Sequence, residues 1–183
     1  MTSICASYRR SENHEDSVKH LFRLQERLFD EGARNFLFID VPPVHQTPAG
    51  KITSQWRCLV RSYTIPTSVP IQSSFTQKVI NSNANWNMHL RDEALAFSVK
   101  HPNATVLLFS SWTVFDEVYV DPSKFGFPEA ARKQQGGQMW WDRLHPTSAM
   151  HKIIADRLIS FLSDLPVAEP TKRNFFKLLF AKQ

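Results

Sequence analysis

The chain has 183 residues, enough for one domain with its own core, and 42% of them are hydrophobic, including 14 Phe and 5 Trp. That balance excludes a disordered chain, and a net charge of +5 permits anionic partners without requiring them. Two cysteines, Cys5 and Cys58, leave room for one bridge but no disulfide framework, and they read as buried thiols.

The opening residues, Met1 to Ala6 running into Tyr8, Arg9 and Arg10, contain no apolar core of a secretory leader. No window approaches the ~18 apolar residues of a membrane span. The chain as written is therefore expected to be soluble and not exported by the usual route. The first element predicted is a helix from about Asp16 to Glu31. Val18, Leu21, Phe22, Leu28 and Phe29 recur at helical spacing, Asp16 or Ser17 suits its start, and Gly32 suits its end.

The run Asn35 to Val41, stopped by Pro42 and Pro43, is short and continuously apolar, as a strand buried on both faces would be. Residues 49–74 have no firm period and carry Pro66 and Pro70, so they read as a long loop or insertion, extended to 49–84 at its widest. Helical order returns near Asn85, with Trp86, Leu90, Ala94 and Phe97 on one stripe, and ends at His101-Pro102-Asn103. Thr105 to Phe109 is a second buried strand. Residues 116–138, with Asp121-Pro122, Gly126, Pro128 and Gly136-Gly137, read mostly as loop. A last helix is predicted from Pro146, with Met150, Ile153, Ile154, Leu158, Phe161 and Leu162 as its apolar stripe. Residues 166–183 form a basic, amphipathic tail. It would lie on an anionic surface, cover a lipid-like substrate, or pack on the body. Helix alternating with buried strand gives an α/β expectation: helices on both faces of a parallel sheet.

Chemistry concentrates in Met139-Trp140-Trp141-Asp142-Arg143-Leu144-His145-Pro146-Thr147. Asp142 stands three residues before His145 on the loop into the last helix. A carboxylate there accepts from one imidazole nitrogen and leaves the other to take a proton from a serine or a water. Trp140 and Trp141 would shield the pair. The plain alternative is a helix entry with a surface turn residue before it. His45, His89, His101 and His151 show no metal-ligand spacing, so neither metal nor cofactor is implied. No aromatic-basic motif supports nucleic-acid binding.

The block Trp141 to Thr147 closely resembles the last block of the GDSL (SGNH) esterase and lipase family, and Gly32 to Pro43 resembles the strand before it in fungal members. Trp86-Asn87 and the stretch through Asp121-Pro122 to Phe125-Gly126-Phe127 are similar as well. The likeness covers residues 1–48 and 85–163. It implies a three-layer flavodoxin-like fold and hydrolysis of a short-chain ester or an acetylated carbohydrate. His145 would be the base and Asp142 its orienting partner. Relatives of this kind are commonly secreted.

The departures carry equal weight. No Gly-Asp-Ser occurs anywhere, so the family's nucleophile has no counterpart, nor has its oxyanion glycine. Thr2 stands where the oxyanion asparagine of the third block is expected. The likeness implies a partial SGNH domain over 1–165, its N-terminal strands missing. Ser110 and Ser111, at the end of the second strand, are poor substitutes because no tight glycine elbow presents them. Two expectations follow: an ester hydrolase, or a catalytically inactive remnant. Self-association through an uncovered sheet edge goes with either.

Overall fold

A computed structural model describes residues 14–49, 71–165 and 175–178, the last four and residues 71–78 by their backbone alone. Helix α1 runs His14–Asp30 and buries Val18 and Phe22. It starts two residues before the predicted boundary, so Asp16 lies inside its first turn, beside Glu15, where acidic groups favour the helix dipole. Gly32, at φ 106°, closes it. The Gly32 N–H donates to the Phe29 carbonyl at 3.0 Å and the Ala33 N–H to the Leu28 carbonyl at 2.9 Å. That paired ending needs a left-handed residue, which glycine adopts at least cost.

Strand β1 (Asn35–Ile39) pairs in parallel with β2 (Thr105–Phe109), Phe36 opposite Val106 and Phe38 opposite Leu108. Between them runs helix α2, Ile71–Lys100. Residues 71–84, expected as loop, are therefore the first half of a helix of 30 residues. Residues 50–70, the rest of the expected insertion, and both cysteines lie outside the described residues. Beyond β2, helix α3 spans Ser111–Val120, which reduces the long loop read from the sequence. Two 3-10 turns follow, Ser123–Phe125 and Glu129–Arg132, and then helix α4, Ser148–Ser163. Thr147, not Pro146, borders α4, its hydroxyl accepting from the Met150 N–H. Strand β3 (Phe175–Leu178), inside the expected tail, pairs in parallel with β2 and gives the order β1-β2-β3.

The fold is thus mixed helix and strand around a parallel sheet. Side-chain alternation along β2 divides two cores. Val106 and Leu108 join Phe36, Phe38, Val18, Phe22, Leu90, Ala94 and Phe97, between the sheet and helices α1 and α2. Leu107 and Phe109 join Val114, Phe115, Val118, Trp140, Met150 and Phe161, against α3, α4 and the loop between them. Asn87 fastens the strand end: its side chain donates to the Val41 carbonyl and accepts from the Val41 N–H, both at 2.9 Å.

Strand β1 is not buried on both faces as its composition suggested. Leu37 is 40% and Ile39 48% exposed, because no helix among the described residues packs on that side of β1. Its outer edge also has no strand partner among the described residues. Such an edge with two apolar side chains beside it templates pairing with another chain. The protein is therefore expected to self-associate as its concentration rises, and Leu37→Lys to reverse this. Light scattering across a dilution series measures it. A monodisperse monomer at every concentration would mean that the edge is covered.

Candidate functional site

Asp142 folds the loop around its own carboxylate. One oxygen, Oδ1, accepts from the backbone N–H groups of Leu144 at 2.7 Å and His145 at 2.6 Å. Short acidic side chains favour this local turn. The other oxygen, Oδ2, lies 2.6 Å from His145 Nδ1. The His145 backbone N–H, then its ring, then the Leu144 N–H hold the Asp142 carboxyl down to about 2. Hydrogen bonds to the charged form act in that direction. Since the folded value is depressed, the carboxylate and its hold on the ring persist at any pH above about 2 and are lost only as pH falls through it.

In the neutral ring, with Oδ2 accepting, the proton sits on Nδ1 and the lone pair on Nε2. No hydrogen bond among the described residues engages His145 Nε2. Behind the loop, the Trp141 N–H donates to the His145 carbonyl at 2.9 Å, and Thr147 N–H to the Met139 carbonyl at 3.0 Å. The Ala49 N–H donates to the Arg143 carbonyl at 2.7 Å, tying the loop to the segment that follows β1.

Of the tryptophan pair, only Trp140 lines the cleft that His145 borders. Trp140 is 1% exposed and lies in the core, stacked on Phe115, with Nε1 donating to the Arg132 carbonyl. Trp141 is 75% exposed. The Asp142 and His145 side chains are themselves 40% and 59% exposed, so the pair sits at a rim. The rim belongs to a mostly apolar cleft of about 600 Å³. Its walls include Asp40 to Val44 at the carboxyl end of β1, Ser111 at the carboxyl end of β2, the Val79, Ser82, Asn83 and Trp86 face of α2, and His151 and Ile154 of α4. Ligands of open α/β sheets gather at such strand ends.

Ser110 and Ser111 are committed elsewhere. Both hydroxyls donate to Asp40, Ser110 to Oδ2 at 2.6 Å and Ser111 to the carbonyl at 2.7 Å, while Oδ1 accepts from the Trp112 N–H at 2.9 Å. Asp40 thus joins the end of β1 to the start of α3, where its charge favours the helix N-terminus. Sequence reading passed over Asp40, although a carboxylate directly after a buried strand stands where sites gather. It also passed over His14 and Ser82, which line the cleft from elements far apart in the chain.

No protein-family model matches the chain. An acetylesterase of Thermothelomyces thermophilus is 23% identical over 164 residues, which cover 88% of this chain and 46% of that protein. A GDSL esterase/lipase of Arabidopsis thaliana is 25% identical over 187 aligned residues, covering 84% of this chain and 45% of the relative. The chain spans about half the length of the curated relatives it matches. Both matches cover most of the chain and support a GDSL/SGNH esterase-like family.

Proposed function

We propose that the chain carries the acid–base half of an ester-hydrolysing site of GDSL/SGNH type, with Asp142 orienting His145 as the general base. The single observation that carries this is the 2.6 Å contact between Asp142 Oδ2 and His145 Nδ1, at the mouth of a cleft across the strand ends. The carboxylate fixes the tautomer whose Nε2 can accept a proton from a hydroxyl or water entering from the cleft. The three-layer flavodoxin-like arrangement belongs to the same reading, and helices on both faces of the sheet support it. A short acyl ester, such as an acetyl group on a carbohydrate, suits an apolar cleft with a basic nitrogen on its rim. The acetylesterase name of one relative points the same way.

A second reading rests on its own observation. The sequence has no Gly-Asp-Ser, and no serine hydroxyl among the described residues bonds to His145 Nε2. The Asp142–His145 half is thus without its usual nucleophile, and His145 assists ester hydrolysis only where one is supplied.

Titration with peracetylated xylose, followed by backbone and imidazole NMR, tests the proposal. Shifts are expected at Leu144, His145, Ser111 and Ile154, which line the cleft. The His145 ring should report the Nδ1–H tautomer, and Asp142→Asn should lose it. No shift along the cleft would remove the ester reading. An unchanged tautomer in Asp142→Asn would remove the orienting role.

A further inference from the structure

The cleft holds a second imidazole–oxygen pair, which Asp142 and His145 do not use. His14 opens α1 and is 5% exposed. Ser82 lies 68 residues on, within α2, and its Oγ is 2.7 Å from His14 Nε2. Both residues line the cleft, Ser82 from the face of α2 that also presents Val79 and Trp86. Trp86, one turn beyond Ser82, meets the His14 ring edge-on, at 5.7 Å between centroids and 84° between planes. The imidazole is thus held in place by packing as well as by the serine. Burial lowers the pKa of His14, and the nearby His89 adds to the effect. Both favour the neutral ring, the form able to take a proton. A serine inside a helix ordinarily turns its hydroxyl to a carbonyl of the preceding turn or to water. Here the hydroxyl sits against a base at the wall of a cavity.

We propose that Ser82 is an acylation site: with His14 as its base, it takes the acyl group of a short-chain ester seated in the cleft. Ser82 Oγ attacks the acyl carbon while its proton passes to His14 Nε2. The bond from the acyl carbon to the leaving alkoxide breaks, and the alkoxide takes that proton from Nε2. An ester and a serine hydroxyl become an acyl-serine and a free alcohol, with nothing oxidised or reduced. The step goes beyond the ester-hydrolase reading and does not depend on Asp142 or His145. No hydrogen bond among the described residues engages His14 Nδ1, so none of them supplies the third group that completes a triad. A pair of this kind suits reactive acyl or phosphonyl donors and a single modification rather than rapid turnover.

The test is a peptide map of the whole chain after incubation with a fluorophosphonate probe, and separately with p-nitrophenyl acetate. One adduct is expected, on Ser82, absent in Ser82→Ala and formed roughly 10²-fold more slowly in His14→Gln. Thermal melts identify any variant that fails to fold, and the wild-type map needs no variant. An unmodified Ser82, or an adduct only on another residue, overturns the proposal. So does labelling at an unchanged rate in a folded His14→Gln. Labelling that falls as far in His145→Ala as in His14→Gln would assign the base to His145 and also overturn it. Loss of the Asp142–His145 reading in the titration above leaves the map unaffected, so the two failures are distinguishable.

Discussion

Steady-state hydrolysis of p-nitrophenyl acetate by the 183-residue chain is expected to stay at the level of its His145→Ala variant. An oriented imidazole contributes by moving a proton in concert with a nucleophile, and the members of such a unit are strongly non-additive. Removing the nucleophile alone costs on the order of 10⁶ in kcat, about as much as removing the whole unit. His145 Nε2 has no hydroxyl partner among the described residues, and the two serines nearest the strand ends are held by Asp40. A single equivalent of product from acylation of Ser82 would precede the steady state without altering its rate. Turnover that collapses in His145→Ala would show that a nucleophile lies within reach of Nε2, with Ser111 of the same cleft the first to replace.

The parts of the fold legible in the sequence are those whose cause is local. Gly32 predicted the end of α1 because the closing turn needs a left-handed residue. The runs at 35–41 and 105–109 read as strands because they are short, apolar and bounded by turn residues, and the first ends two residues earlier, at Ile39. Pairing of Asp142 with His145 was legible for the same reason, since three residues separate them in one turn.

What could not be read depends on distant partners. The burial of β1 was misjudged because composition does not reveal how many neighbours a strand has. The first half of α2 is rich in Ser, Asn and Gln and follows a run broken by Pro66 and Pro70, so its sparse apolar positions do not read as a helix. Helix α3 is heavy in β-branched and aromatic residues, whose preference favours strands; packing of Val114, Phe115 and Val118 into the core overrides it. His14 and Ser82 meet only because two helices dock, which no spacing rule anticipates.

Trp140→Ala is expected to be the most damaging substitution near the site, at about 3–5 kcal/mol, whereas Trp141→Ala should lie within roughly 0.5 kcal/mol of the parent. The two residues are adjacent and chemically identical, so burial alone separates them. Trp140 is 1% exposed and stacks on Phe115 at 5.8 Å between centroids, 22° between planes. Its Nε1 donates to the Arg132 carbonyl at 3.2 Å, and its backbone bridges to Gln135 and Pro146. Truncation would open a cavity under the loop that carries Asp142 and His145, and a core this dense closes such a space only in part. Against a total stability of about 5–15 kcal/mol, that loss would lower Tm on the order of 10 °C. Trp140→Phe keeps the stacking and loses the indole N–H, so it should cost about 1–3 kcal/mol. Urea unfolding of the three variants gives the comparison. Equal losses for Trp140→Ala and Trp141→Ala would mean that the loop does not rest on Trp140, and that the geometry of the Asp142–His145 pair is set by the Asp142 turn alone.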